Sequence, residues 1–222
     1  MIITIDGPVA SGKSSVAKAI GNRLGLFYLN TGLLYRAVAY ILIHEFRKKI
    51  SLECPFEVRE HELDFIKEIV YEYISDQPHV IFKGKDITSF LSDTSLDQAA
   101  SIVSACKIVR DKLLPVQQNI GEKYSIIADG RDCGTVVFPN ADYKFFLTAS
   151  VDARVKRVLS DSKRKLQDTS YDKVKSDIEA RDARDWQRAI APLRKADDAV
   201  EIDSSNLNFE QTVQEFLRYI KN

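Results

Sequence analysis

The chain has 222 residues, with 32 basic and 32 acidic side chains, 45% hydrophobic residues and three cysteines. That length suits one large domain or a domain with insertions, and the apolar fraction excludes a largely disordered chain. A formal net charge of zero argues against binding a nucleic acid polymer or an anionic membrane non-specifically, which takes an excess of cations, but leaves room for a local cationic pocket for a small anion.

Cys54, Cys106 and Cys133 contain no CxxC pair, which speaks against a zinc site or a disulfide framework and fits thiols in a reducing cytosol. Met1 leads straight into Ile2, Ile3, Thr4 and Ile5 with no basic stretch before them. No apolar run reaches the roughly 18–20 residues that cross a bilayer. The expectation is a soluble cytoplasmic protein.

Residues 2–6 are short and β-branched and are followed by Gly7 and Pro8, which predicts a buried strand ending in a turn. Val16, Ile20 and Leu24 recur every four residues over 13–24, which predicts a helix stopped by Gly25. Residues 26–30 read as a second strand and 33–46 as a second helix. This alternation predicts a parallel α/β sheet. The middle of the chain differs: 70–75 and 79–83 alternate in polarity around Asp76, Gln77 and Pro78, and Lys83-Gly84-Lys85 looks like another turn. A small antiparallel insertion between about 55 and 90 follows, then helices over about 95–106 and 107–119. Strands resume at 125–128, ending at Asp129, at 143–147 and at 199–202. Asn208 with Gln211 forms a capping box that opens a last helix carrying Phe209, Val213, Phe216, Leu217 and Ile220 on one face. Residues 159–173 are charged without periodicity, as either a mobile lid or a solvated connection would be.

Gly7-Pro8-Val9-Ala10-Ser11-Gly12-Lys13-Ser14 matches GxxxxGK[ST] in full, and Ser15 continues it into the helix. A strand precedes the motif and a helix follows, as a P-loop requires. Its glycines let backbone N–H groups turn inward at a helix N-terminus, Lys13 can reach β/γ-phosphates, and the Ser14 hydroxyl can ligand Mg²⁺. Asp129, at the end of an apolar strand, is placed either for a second Mg²⁺ contact or simply to begin a turn.

A P-loop does not say where the phosphate goes. Arg181, Arg184, Asp185 and Arg188 fall at i, i+3, i+4 and i+7, one helical stripe, which is either a solvated face with internal ion pairs or an anion grip. Arg131 and Arg36 fall at the carboxyl edge of the sheet, where open α/β folds bind ligands. Bringing two anions together costs about 4 kcal/mol per like pair at 4 Å in an effective dielectric of 20. Converging arginines and Mg²⁺ offset that cost, and a water-attacking ATPase needs fewer of them.

At these residues the chain resembles the bacterial cytidylate kinases, nucleoside monophosphate kinases that phosphorylate CMP and dCMP. The likeness runs nearly end to end. It is carried by Ile5-Asp6-Gly7-Pro8 with the P-loop, Thr31 to Ala37, Ala128-Asp129-Gly130-Arg131-Asp132 with Gly134 to Pro139, and Arg181 to Asp185 with Arg188 to Leu193. The resemblance implies a three-layer P-loop NTPase fold with a five-stranded parallel sheet, forming a single domain over 1–222 with an NMP-binding insertion at about 36–115 and a lid at about 157–175. It implies ATP as donor with Mg²⁺, CMP or dCMP as acceptor in pyrimidine nucleotide metabolism, and a monomer. Arg36, Arg131 and Arg188 are expected on the acceptor phosphate, with Arg181 between phosphate and sugar. Asp185 is expected on the ribose hydroxyls, Thr31 and Tyr35 lining the acceptor pocket, and Ser101, Arg110 and Asp132 on the base. Arg154 and Arg157 are expected on the ATP side.

Cytosine donates from its N4 amino group, which a carboxylate such as Asp132 accepts, whereas O4 of uracil would face a lone pair. The chain departs from the family pattern at Asn30, usually Asp, and at Cys133, usually apolar. Rival readings are a UMP- or AMP-preferring nucleotide kinase and a P-loop switch module. The arginine clusters and the lack of an NKxD-type motif argue against the switch.

Overall fold

A computed structural model of the chain describes residues 1–52, 56–93, 95–161 and 170–220. Cys54 and positions 162–169 of the expected lid lie outside the described residues. In chain order the elements are β1 (Ile2–Asp6), α1 (Lys13–Leu24), β2 (Phe27–Asn30), α2 (Thr31–His44), β3 (Ile69–Ile74), β4 (Gln77–Phe82), β5 (Lys85–Asp86), α3 (Leu96–Ser104), α4 (Lys107–Lys123), β6 (Ile126–Gly130), β7 (Tyr143–Thr148), α5 (Val151–Ser160), α6 (Tyr171–Gln187), β8 (Val200–Asp203) and α7 (Phe209–Leu217). Short 3₁₀ segments at Glu60–Glu68 and Thr88–Ser92 and a π-helical turn at Cys133–Val137 complete them.

The fold is α/β. Five strands form one parallel sheet in the order β2-β6-β1-β7-β8, and β3, β4 and β5 form a separate antiparallel sheet. In the parallel sheet Ile3 lies opposite Tyr143 and Asp6 opposite Phe146, while Phe145 lies opposite Val200 and Thr148 opposite Asp203. Ile3, Ile5, Phe145 and Leu147 are fully buried or nearly so. Strands covered on both faces read as continuous apolar runs, which is why these short segments were recognisable. The chain divides into two compact units, residues 1–26 with 127–222, and residues 27–126.

In the first unit, α1 buries Val16, Ala17, Ile20 and Gly21. Gly21 is required there, since a Cβ would lie 2.9 Å from the carbonyl oxygen of Leu26. Gly25 ends the helix in the left-handed conformation at φ 64°. The α7 capping box forms as expected, with Asn208 Oδ1 accepting from Gln211 N at 2.9 Å and Gln211 Oε1 accepting from Asn208 N at 2.9 Å. The α-helix ends at Leu217, so Ile220 is buried beyond it rather than on its face.

In the second unit, α2 packs on α3, and the antiparallel sheet lies against α2 and β2. The hairpin turn sits one residue earlier than the sequence pattern suggested. Ser75 and Asp76 carry positive φ (50° and 61°), as a two-residue turn with right-handed strand twist demands, and Gln77 and Pro78 already belong to β4. β6 runs Ile126–Gly130, so the strand continues one residue beyond Asp129, where its end was expected. No helix among the described residues is long and apolar enough to cross a membrane.

The junction of β1 with the P-loop depends on Gly7. Its φ is 150°, and a Cβ at this position would sit 2.1 Å from the carbonyl oxygen of Leu147 in β7. Neither contact partner can move without opening the sheet. Gly7→Ala is therefore expected to cost about 3 kcal/mol or more, or to abolish folding, read as a fall in thermal midpoint. An unchanged midpoint would contradict this packing.

Candidate active site

The motif residues form a strand–loop–helix cradle in the first unit. Ala10 (φ 58°) and Gly12 (φ 96°) turn the backbone so that the chain enters α1 at Lys13. Among the described residues no side chain caps this helix N-terminus, and no acidic residue stands in its first turn. The amides and the positive end of the helix are therefore available to an anion. The Lys13 ammonium is buried and donates to the Pro8 carbonyl (2.7 Å) and the Ser11 hydroxyl (3.3 Å). Burial, then the nearby charge of Arg131, push Lys13 well below its ordinary value, while Asp129, Asp6 and Asp185 oppose them. A phosphate arriving at this lysine would relieve both penalties.

Ser14 and Asp129, placed far apart in sequence, meet: the Ser14 hydroxyl donates to Asp129 Oδ2 at 2.7 Å. A hydroxyl and a carboxylate are hard oxygen donors of the type Mg²⁺ takes alongside nucleotide phosphates, so these residues fit the ion. Asp6 is a further buried carboxylate that the sequence pattern did not flag. It accepts from the consecutive amides of Cys133 (2.8 Å) and Gly134 (2.7 Å), which fixes the turn just after Arg131 and Asp132. Cys133 itself is buried and packs.

The arginine stripe on α6 is not a fully solvated face: Arg181, Arg184 and Arg188 are half-buried. Asp185 is buried, and Arg131 Nε donates to its Oδ2 at 2.7 Å. Burial pushes Asp185 up, but the charge and hydrogen bond of Arg131, with the charges of Arg181 and Arg188, outweigh it and hold the carboxyl below its ordinary value. Arg188, just past the end of α6, donates from Nη2 to Asp132 Oδ1 at 3.3 Å and from Nε to the Ala191 carbonyl at 2.5 Å. Arg131 thus pairs with Asp185, Arg181 and Arg188 add their charges to it, and Arg131 is close enough to act on Lys13.

Arg154 and Arg157 of α5 face the P-loop backbone. Arg157 donates to the Ser11 carbonyl (2.9 Å) and to the Ser204 carbonyl (2.6 Å). Arg154 donates to the Val9 carbonyl (3.0 Å) and pairs with Asp182. Asp182 also accepts from the Val9 amide, so both polar groups of Val9 are engaged by the protein.

The second unit holds the other expected residues. The Asn30 side chain caps α2, accepting from Leu33 N at 3.1 Å, so the amide preserves the shape that the family's Asp would give. Thr31 and Tyr35 are buried on α2. The Arg110 guanidinium lies 5.5 Å from the Tyr35 ring centre and donates to the Ser104 carbonyl at 3.1 Å. The Ser101 hydroxyl is buried with no hydrogen-bond partner among the described residues. Arg36 pairs with Asp97 and donates to the Leu91 and Asp93 carbonyls, a set of partners the sequence pattern gave no reason to expect.

A glycine-turned anion cradle, a buried lysine within it and a hydroxyl–carboxylate pair at its mouth define a P-loop nucleotide-binding protein of α/β architecture. The family model for cytidylate kinase matches residues 3–222, and the chain belongs to that family. It is 36% identical over 215 residues to the cytidylate kinase of Caldicellulosiruptor saccharolyticus, covering 97% of this chain and 93% of that one. It is 35% identical over 219 residues to the cytidylate kinase of Bacillus subtilis, covering 99% and 96%. A crystal structure of an uncharacterised protein from Eubacterium ventriosum superposes with a TM-score of 0.54 at 15% identity, covering 99% of this chain and 97% of that one. That likeness concerns the fold alone.

Asp6 gives the site a pH signature. Burial raises its carboxyl from 3.8 to about 6, against the lowering pull of the Gly134 and Cys133 amides; Asp132 adds to the rise, and Lys13 opposes it. A carboxyl raised on folding holds its proton more tightly in the native state, so its contribution to stability falls as pH rises from about 4 to about 6. Urea midpoints of wild type and Asp6→Asn across that window are expected to diverge, with wild type losing ground toward neutral pH. A constant difference between the two would contradict the assignment.

Proposed function

We propose that the chain transfers the γ-phosphoryl group of ATP to CMP and dCMP by direct in-line attack of the acceptor phosphate oxygen. The observation that carries this reading is the cluster of Arg131, Arg181 and Arg188 around Asp185 beside the P-loop lysine. A protein that only hydrolyses or holds one nucleotide has one polyanion to neutralise, whereas phosphoryl transfer between nucleotides has two. Family membership and full-length relatives that are themselves named cytidylate kinases support the same substrate.

In the first unit, Gly7 to Ser15 form the donor cradle, Lys13 neutralises the transferring phosphoryl group, and Arg131, Arg181 and Arg188 take the acceptor phosphate. Asp185 orients Arg131 and offers a carboxylate to the ribose hydroxyls. Ser14 and Asp129 would hold Mg²⁺, which, bound with ATP, supplies charge neutralisation at the β- and γ-phosphates. Asp132 accepts from the cytosine amino group. In the second unit, Thr31 and Tyr35 line the acceptor pocket, Arg36 serves the acceptor phosphate, and Ser101 and Arg110 read the base. The buried, unpartnered Ser101 hydroxyl supports that last role, because a polar group left so is costly until a ligand satisfies it. The unit over residues 27–126 carries the NMP-binding insertion. No general base is required, since a phosphate monoester is already ionised near neutral pH. Catalysis consists of positioning and charge stabilisation.

The purified protein with ATP and Mg²⁺ is expected to form CDP and dCDP far faster than UDP, ADP or GDP from the matching monophosphates. Failure to form CDP above background would end the reading, and a preference for UMP or AMP would redirect it. Lys13→Ala is expected to lower kcat by about a hundredfold to a thousandfold with the thermal midpoint retained; near-wild-type turnover would remove Lys13 from the chemistry. Arg131→Ala and Arg188→Ala are expected to raise the KM for CMP by about tenfold or more and that for ATP much less. The reverse pattern would place them on the donor side.

A further inference from the structure

We propose that Asp182 is a positioning residue for the donor nucleotide: with Arg154 it clamps the backbone of Val9 at both its N–H and its C=O and so sets the curvature of the P-loop. The proposal rests on the reading that this loop receives the phosphates of ATP. Asp182, on α6, accepts from the Val9 amide through Oδ1 at 3.1 Å and from Arg154 Nη1 through Oδ2 at 2.5 Å. Arg154, on α5, donates from the same Nη1 to the Val9 carbonyl at 3.0 Å and from Nε to the Ala149 carbonyl at 3.1 Å. Both side chains are buried. The ring closes on a single residue, across the two peptide units that flank the Val9 Cα: N–H to carboxylate, carboxylate to guanidinium, guanidinium back to C=O.

The next residue explains why a clamp is needed. Ala10 holds φ 58°, a conformation that a side-chain-bearing residue does not keep unless its surroundings impose it. Those surroundings are Asp182 and Arg154 on the polar side. On the apolar side, Val155 and Val158 of α5 and Val174 and Ile178 of α6 pack with Val9, Ala10 and Val151. With Val9 fixed and Ala10 turned, the succeeding amides of Ser11, Gly12 and Lys13 enter the cradle. Helices α5 and α6 flank residues 162–169 in the chain, so the elements that frame the expected lid also shape the donor loop. Asp182 carries out this task without touching substrate, unlike Asp185 three residues on, which pairs with Arg131.

The test compares wild type, Asp182→Ala and Asp182→Asn by steady-state kinetics with ATP and CMP and by calorimetry of ATP binding without CMP. The Asn variant keeps an oxygen for the Val9 amide but turns an NH₂ group toward Arg154. Asp182→Ala is expected to weaken ATP by about tenfold in KM and in binding, with the KM for CMP within about twofold, and Asp182→Asn to fall between. A merely structural residue would shift both substrates together. Equal rises in the two KM values, an unchanged ATP affinity, or an Asn variant at least as impaired as Ala would overturn the proposal. If Asp182→Ala shows no cooperative unfolding transition, the Asn variant decides by the same split: a selective loss of ATP affinity supports the clamp, and none rejects it. If wild type binds ATP but forms no CDP, the kinase reading fails, while the ATP affinities of the variants still decide the role of Asp182.

Discussion

Positive charge gathered in a buried place needs a counter-charge, and in this protein Asp185 supplies it. Arg131 pairs with that carboxylate, the charges of Arg181 and Arg188 act on it, and Lys13 lies within reach of the same field. Removing guanidiniums from water and stacking them near an ammonium is unfavourable unless an anion is present. Asp185 offsets that cost for the cluster. Asp185 is held below its ordinary value by the arginine charges, whereas Lys13 is lowered first by its burial and then by the charge of Arg131. Phosphoryl transfer between two nucleotides demands such a preassembled cationic site, because the repulsion between the reactants is greatest at the moment of reaction.

The donor half is built from backbone more than from side chains. Gly7 lets β1 pass within contact of Leu147, Gly12 turns the chain into α1, and Ala10 is forced into a conformation it would not adopt alone. Each of these is held from outside the loop, by β7 below and by α5 and α6 at the side. Asp6 does a corresponding task at the end of β6, accepting from two consecutive amides and thereby fixing the turn that follows Arg131 and Asp132. Two carboxylates, Asp6 and Asp182, thus position the site's backbone without standing in it.

Much of this was legible from the chain itself, for physical reasons. The P-loop requirement is local: the glycines, the lysine and the hydroxyl all fall within eight residues, and a strand and a helix flank them. Ser14 and Asp129 were each singled out by type and place, Asp129 with a turn as the alternative, but their mutual hydrogen bond joins residues 115 apart and was not in the pattern. Asp6 ends an apolar strand in the same way, yet its partners are amides of a π-helical turn that no periodicity announces. Asp182 follows Arg181 just as Asp185 follows Arg184. Opposite charges adjacent on a helix ordinarily signal a solvated face, and only the tertiary placement of Arg154, 28 residues away, separates the two cases. The Arg36 partner Asp97, 61 residues distant, was invisible for the same reason. The hairpin turn was misplaced by one residue because Pro78 reads as a turn former, whereas the positive φ values fall on Ser75 and Asp76.

The central claim is that phosphate leaves one nucleotide only for the other. ATP labelled in its γ-phosphate, incubated with the protein, Mg²⁺ and CMP, tests this directly by following the label. The account predicts that labelled CDP and unlabelled ADP appear in equal amounts, with no label on the protein and little released as inorganic phosphate. Label appearing as inorganic phosphate at a rate indifferent to CMP, or retained on the chain, would contradict it.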